Sequence, residues 1–308
     1  MRTQARGLAR AVAGTVIEKT VGLRAPWAWL PRRLVPSPLA RLDPAKDALA
    51  PPWPDLIVTC GRRSAILSLA ARAASGGRAL SVHIQDPRLP PGTFDLIVAM
   101  EHDPIEAGPR VLKAATAMHD LTSESLAAAA EAWRDRFAPL GRPLAGVIIG
   151  GSTRRRAFTL EDGQRLVRAL KRLRDEAGAG LAITPSRRTP PDIQALLRQA
   201  FGADPRVFLW DLEGDNPYRG ILALADRLVV TGDSVSMVSE ALATPHPVEV
   251  FDLAAGRQEL FLQSLIARGL VRRFEGDPTA PVAAGPVNAT TQAAEVVRRL
   301  IQAHGAHV

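Results

Sequence analysis

Ala145-Gly146-Val147-Ile148-Ile149-Gly150-Gly151-Ser152-Thr153 joins an apolar run to a glycine and hydroxyl turn, and residues 159–177 that follow read as a helix. The run reads as a strand, as does Asp55-Leu56-Ile57-Val58-Thr59-Cys60, whose continuous apolar character is the pattern of a parallel strand covered on both faces. Thr159 is placed to cap the helix, with Asp162 three residues on. Leu166, Val167, Leu170 and Leu173 make its apolar stripe. Strand, tight turn and helix in that order form the repeating unit of an α/β fold.

The same unit recurs in both directions. Toward the C-terminus, strands are expected at 181–184, 206–210, 227–231 and 248–251, with helices at 192–201, 218–225, 234–243, 257–268 and 289–303. Toward the N-terminus, strand-like runs occupy 55–60, 79–85, 94–100 and 111–118, with helices at 65–74 and 123–137. Ser123 is placed as the N-cap of the latter, and Glu124 in its first turn. Pro139-Leu140-Gly141-Arg142-Pro143 breaks the alternation and sets the expected boundary. The fold class is α/β, with two Rossmann-like domains facing a cleft. An N-terminal domain spans 1–138, a linker 139–143 and a C-terminal domain 144–288, and a last helix within 289–308 packs back on the first domain.

A chain of 308 residues can bury two cores of this size. With 39 basic residues against 31 acidic ones the net charge is +8, and all basic residues except Lys19, Lys46, Lys113 and Lys171 are arginine. A GC-rich genome would account for much of that usage; anionic ligands or an anionic membrane surface are the more specific reading. Nucleic acid is disfavoured, because no helix-turn-helix, zinc finger or aromatic-studded basic stretch occurs. The lone Cys60 excludes an internal disulfide and a thiolate cluster, and at the end of an apolar run it reads as a buried, inert thiol. No apolar run approaches the roughly 20 residues that span a bilayer. The expected location is therefore cytoplasmic, with peripheral contact at the inner membrane face. The basic opening from Met1 to Arg10 looks superficially like a transit peptide, but Leu8, Val12 and the intervening alanines fit an amphipathic helix. Trp27, Trp29 and Leu30 beside Arg32 and Arg33 read as a packed loop, with a membrane or partner contact as the alternative.

Three strand-to-helix turns have the ingredients of an anion site: Gly61-Arg62-Arg63-Ser64, Gly150-Gly151-Ser152-Thr153-Arg154-Arg155-Arg156 and Thr231-Gly232-Asp233-Ser234-Val235-Ser236. In parallel sheets such turns lie at the carboxyl ends of the strands, where ligands bind. Helix N-termini there present unpaired amides and partial positive charge. Glycine lets backbone approach a phosphate, hydroxyls donate, and arginine grips phosphate oxygens with paired hydrogen bonds. Thr184-Pro185-Ser186-Arg187-Arg188-Thr189 adds a fourth basic strand end, and Glu240 is spaced to accept from a ribose diol. Neither a Walker pattern nor a full dinucleotide fingerprint occurs, which disfavours ATP hydrolysis and NAD chemistry.

Residues 224–242, which contain Thr231-Gly232-Asp233-Ser234-Val235-Ser236 and Glu240, resemble the donor site of GT-B glycosyltransferases. Within that class the stretch looks most like the group that includes the peptidoglycan glucosaminyltransferase and lipid-A-disaccharide synthase. The resemblance implies that Ser234 and Ser236 hold a nucleotide diphosphate and Glu240 the ribose, and that Gly150-Gly151-Ser152-Thr153 is the first loop of the donor domain. Over residues 55–253 the chain also resembles the mitochondrial-fission "elongated mitochondria" family, whose bacterial members are often called nucleoside-diphosphate-sugar epimerases. His83-Ile84-Gln85-Asp86-Pro87-Arg88, Gly150 to Arg154, Ser186-Arg187-Arg188-Thr189-Pro190, Asn216-Pro217-Tyr218 and Thr231 to Met237 carry that resemblance. Members begin with a strand and a glycine-rich loop ahead of the first helix. Here Met1 falls where that helix starts, so the resemblance implies an N-terminal sheet without its first strand and a reading frame that extends upstream.

The reaction expected from these features is metal-independent glycosyl transfer from a nucleotide-diphosphate sugar to an unspecified acceptor, with cell-envelope glycan synthesis as a setting. No Asp-x-Asp clamp for a cation occurs and no cofactor is called for. Helix N-termini and arginines would stabilise the departing diphosphate. The donor residues expected are Gly150, Gly151, Ser152, Thr153, Arg154, Ser186, Arg187, Arg188, Gly232, Asp233, Ser234, Ser236 and Glu240. A general base would come from His83, Asp86, Glu101, His102 or Asp103 in the first domain, with Asp86 slightly favoured and His83 next. A nucleotide-sugar epimerase, or a non-catalytic nucleotide-binding scaffold, is the alternative.

Overall fold

Two separate parallel sheets organise the chain in a computed structural model that describes residues 2–31, 34–279 and 284–305. The first compact unit combines residues 1–120 with 289–308, and the second spans 121–288.

In the first unit, α1 (Arg2–Val12) precedes four strands, β1 (Leu56–Cys60), β2 (Leu80–Ile84), β3 (Leu96–Met100) and β4 (Val111–Ala114). They pair in sequence order, all parallel. Helix α2 (Arg62–Ala74) connects β1 to β2. Side chains alternate across β2 and β3. Val82, Ile84, Leu96 and Val98 join Leu8 of α1 and Ala293, Ala294 and Val297 of the closing helix α9 (Ala289–His304). Ile97 and Ala99 point the other way, toward Ala65 of α2 and Phe94. Among the described residues β1 pairs with β2 alone, and it is only half buried along its length. Its unbroken apolar character suggested cover on both faces; an edge position explains the difference, since the strand has a neighbour on one side only. Among the described residues no strand precedes α1.

The second unit opens with α3 (Ser123–Phe137) and continues through β5 (Leu144–Ile149), α4 (Leu160–Glu176), β6 (Gly180–Pro185), α5 (Pro191–Phe201), β7 (Val207–Leu209), α6 (Tyr218–Leu224), β8 (Arg227–Thr231), α7 (Val235–Leu242), β9 (Val248–Phe251), α8 (Arg257–Ala267) and β10 (Arg272–Arg273). The six strands lie in the order β10-β9-β8-β5-β6-β7, every pair parallel. This is the doubly wound Rossmann order. The chain moves outward from β5 to β7, returns, and builds outward again from β8 on the other side. The reversal puts the switch point between β5 and β8. Strand β5 is fully buried, as its apolar run demands. Thr159 and Asp162 form the expected capping box on α4: the Thr159 hydroxyl accepts from the Asp162 amide at 3.2 Å, and the carboxylate accepts from the Thr159 amide at 3.1 Å.

Helix α3 belongs to the second unit, so the division falls at Leu121 and not at residues 139–143. The cause is Trp133, whose ring lies where a Cβ on Gly220 of α6 would be, 2.4 Å from its Cγ. Trp133, Phe137 and Phe208 stack with ring centroids 5.3–5.7 Å apart. The proline-bounded segment thus lies within the second unit, exposed except for Leu140. The N-cap of α3 is Thr122 and not Ser123, because its hydroxyl reaches the Ser125 amide at 3.1 Å and the Ser125 hydroxyl answers to the Thr122 amide at 3.0 Å.

Candidate functional site

At the carboxyl edge of the second sheet, three turns are sewn together at the switch point. The Gly150 amide donates to Thr231 Oγ1 at 2.7 Å, and that hydroxyl donates to Asp233 Oδ1, also at 2.7 Å. Asp233 Oδ2 accepts from the Gly151 amide at 3.1 Å and from Arg188 Nη2 at 2.9 Å. Thr189 Oγ1 donates to the Gly150 carbonyl, and its side chain accepts from the Ser186 amide at 2.9 Å. Asp233 is therefore a buried clamp at the meeting point of the ends of β5, β6 and β8. The two glycines are required by this closeness: a Cβ on Gly150 would lie 2.2 Å from Asp233 Oδ1, and one on Gly151 would lie 2.0 Å from the Arg188 carbonyl oxygen.

The seam decides which groups are occupied. The amides of Gly150 and Gly151 are spent on Thr231 and Asp233, and the Gly232 amide continues the sheet by donating to the Phe251 carbonyl. Ser152 Oγ accepts from the Phe158 amide, and Thr153 Oγ1 from the Arg155 and Arg156 amides, so both hydroxyls shape their own loop. Ser186 Oγ accepts from the Arg188 amide. Arg156 pairs with Asp162 at 3.0 Å.

What remains faces outward. Ser234 is the N-cap of α7, its hydroxyl accepting from the Met237 amide at 3.4 Å. Accepting leaves the hydroxyl proton available to donate. The first-turn amides of Val235 and Ser236 have no acceptor among the described residues, and the Ser236 side chain is exposed. Arg154 and Arg187 are exposed and have no carboxylate partner among the described residues. One turn further along α7, Glu240 Oε2 accepts from the Tyr218 hydroxyl at 2.6 Å. Burial, reinforced by the Glu240 charge, raises the Tyr218 pKa well above its ordinary value, so the phenol remains a donor.

A model of the mitochondrial fission ELM1 family matches residues 1–301. The chain belongs to the mitochondrial fission ELM1 family. This ELM1-family chain is 32% identical over 293 residues to the mitochondrial fission protein ELM1 of Arabidopsis thaliana, which covers 87% of this chain and 67% of the plant protein. It is 25% identical over 283 residues to an uncharacterized protein of Rickettsia prowazekii (strain Madrid E), covering 80% of this chain and 79% of that one. Among solved structures it resembles a Listeria monocytogenes protein assigned as a UDP-N-acetylglucosamine 2-epimerase, with TM-score 0.54, 14% identity and coverage of 82% and 75% of the two chains. A second UDP-N-acetylglucosamine 2-epimerase gives TM-score 0.50, 14% identity and coverage of 83% and 74%. At that identity the likeness shows the fold alone: two Rossmann-like units of the GT-B class.

In the ELM1-family chain the proposed general bases belong to the first unit. His83 is wholly buried on β2, with Nδ1 2.9 Å from Thr59 Oγ1 and its ring against Phe94, the environment of a packed core histidine. Asp86 lies on the turn after β2. There it accepts from the Arg88 amide at 2.7 Å and pairs with the Arg88 guanidinium at 3.1 Å, between Gln85 and Arg88, both at positive φ. Asp103 is buried in the turn after β3, where it accepts from the Met100 amide; Glu101 and His102 share that turn. Cys60 is half buried at the end of β1; its thiol donates to Gln4 Oε1 and burial raises its pKa to about 11. It stays protonated at neutral pH, in keeping with an inert thiol. Thr231, Thr189 and Tyr218 were not among the expected site residues. Tyr218 had a signal, being the chain's single tyrosine directly after Asn216-Pro217. The two threonines had none beyond membership of a strand-end turn.

Proposed function

We propose that the second unit binds a nucleoside-diphosphate sugar at the β5/β8 switch point, and that the protein transfers the sugar from it without a metal ion. The observation that carries this reading is the division of labour at the seam. Asp233, Thr231 and Thr189 lock the turns. The first-turn amides and hydroxyls of α7, with Arg154 and Arg187, are left to meet an anion at the helix N-terminus. A diphosphate set there gains the partial positive charge of α7 and paired hydrogen bonds from guanidinium groups. The same groups stabilise the negative charge that accumulates as the sugar leaves. Glu240 lies on α7 beyond that end, and Tyr218 fixes one of its oxygens; a carboxylate offers about four lone-pair sites, enough to accept from a ribose diol as well. Metal independence rests on the absence of an Asp-x-Asp motif from the sequence.

Calorimetric titration with UDP-, GDP- and ADP-sugars tests the reading. One of them binds, and Glu240→Ala weakens that binding about tenfold, the value of a charged hydrogen bond lost. Release of the nucleoside diphosphate identifies transfer. An epimerised but intact nucleotide sugar identifies the epimerase, and binding without turnover identifies a scaffold. Failure of every nucleotide to bind overturns the proposal.

A further inference from the structure

In the loop after α1 the packed reading holds for Trp27, whose ring lies 4.7 Å under the Arg41 guanidinium, and fails for Trp29, which is 79% exposed. An exposed side chain does not specify what covers it. An open sheet edge does, through its backbone groups.

The second sheet ends in two edges of opposite character. β10 is Arg272–Arg273, and both arginines are held by carboxylates: Arg272 by Glu249 and Asp277, Arg273 by Asp252 and Glu259. Charge of this kind discourages another strand from pairing. The opposite edge, β7, carries Val207-Phe208-Leu209 and runs on into Trp210, without a charge, proline or glycine. Its ladder with β6 extends from the Arg206 carbonyl, which accepts from the Leu181 amide, to the Trp210 amide, which donates to the Ile183 carbonyl, both at 3.0 Å. Arg206, Phe208 and Trp210 therefore turn their backbone groups toward β6. The Leu209 amide and carbonyl and the Val207 carbonyl point away from the sheet, and none of the three has a partner among the described residues.

Grooves flank this edge on both faces. One of about 440 Å³ is walled by Leu197, Phe201, Val207 and Leu209, and one of about 380 Å³ by Phe208, Trp210, Asp211 and Glu213. The charges near the strand are divided by end. Before it stands Arg206, whose guanidinium donates to the Leu140 and Gly178 carbonyls and meets no carboxylate among the described residues. After it come Asp211 and Glu213, both exposed and neither paired with a cation among the described residues.

We infer that β7 pairs antiparallel with β7 of a second copy of the chain, about a two-fold axis at Leu209, joining two sheets into one. The two Leu209 residues then exchange amide and carbonyl bonds across the axis, and the Val207 carbonyl of each copy comes opposite Asp211 of the other. Successive side chains of the incoming strand point to opposite faces, so they enter both grooves. Direction follows from charge. An antiparallel partner sets Arg206 of each copy against the Asp211–Glu213 end of the other, and the symmetry makes that contact twice. A parallel copy would set acid beside acid. A bilayer is not the occupant, because lipid offers no backbone groups to pair with, and no described helix is long and apolar enough to cross a membrane. The inference is independent of the nucleotide site.

Sedimentation velocity of the full chain at rising concentration, with hydrogen exchange in peptides spanning 207–211, tests it. The chain passes from monomer to dimer. Exchange in those peptides slows with the dimer fraction, because the Phe208 and Trp210 amides are already bonded to β6 and the Leu209 amide is not. Glu213→Arg, at an exposed position, sets like charges beside Arg206 at both ends of the seam and weakens the dimer about tenfold. Leu209→Pro removes the amide on the axis, leaves the bonds to β6 and abolishes the dimer. An unchanged melting temperature verifies the fold of each variant. A chain that is monomeric at every concentration overturns the inference. So does a dimer that leaves exchange at 207–211 unchanged, or one that forms equally well with Glu213→Arg.

Discussion

Asp233 shows how one residue can look like a ligand-binding group and serve as a clamp. In the sequence it sits beside Gly232 and Ser234 in a turn suited to phosphate, and nothing local reveals that its carboxylate accepts from Gly151 and Arg188, far away in the chain. Asp233→Ala leaves the Gly151 amide and the Thr231 hydroxyl without their acceptor in a buried position, so it destabilises the second unit by about 2 kcal/mol. Chemical denaturation measures this, and an unchanged midpoint would remove the seam from the account. The glycines at 150 and 151 were legible as close-approach residues, but the body that approaches them is protein: the Asp233 carboxylate and the Arg188 backbone. Residue types announced the edge of the sheet correctly. Their division between framework and ligand depends on tertiary partners that sequence spacing does not encode.

Elements whose cause is local were legible almost to the residue. The α4 capping box and the span of β5 are examples, because each signal lies within a few positions of its effect. The place of α3 was not, since Trp133 finds Gly220 across an intervening sheet's worth of chain. Helix α9 depends on a similar distant stitch. Thr290 Oγ1 accepts from the His119 amide and donates to its carbonyl, both at 2.9 Å. Thr290→Val removes both bonds and costs about 1–2 kcal/mol in the first unit. Burial lowers the His119 pKa, with Asp120 opposing. The unfolded chain then takes up a proton at higher pH than the folded one. Stability is full above the ordinary imidazole value and declines as pH falls below it. Hydrogen exchange in α9 therefore quickens on moving from neutral to mildly acidic buffer; exchange independent of pH, after correction for the intrinsic rate, would contradict this.

At the scale of the molecule, the six-stranded unit is made from one continuous span of chain, while the four-stranded unit needs both α1 and α9 to cover one face of its sheet. A chain stopped after Asn288 is expected to keep exchange protection in β5, β6 and β8 and to lose it in β2 and β3, as read by hydrogen-exchange mass spectrometry. Equal protection in both sheets would show that α9 is dispensable. During synthesis the ribosome delivers residues 1–120 first, yet their missing cover arrives only after the whole of 121–288 has been made. At bacterial to eukaryotic elongation speeds that delay is on the order of ten to thirty seconds. Throughout it Val82, Ile84, Leu96 and Val98 face water on one side of a nascent sheet, which makes the early-made part of this protein the one that most needs a chaperone.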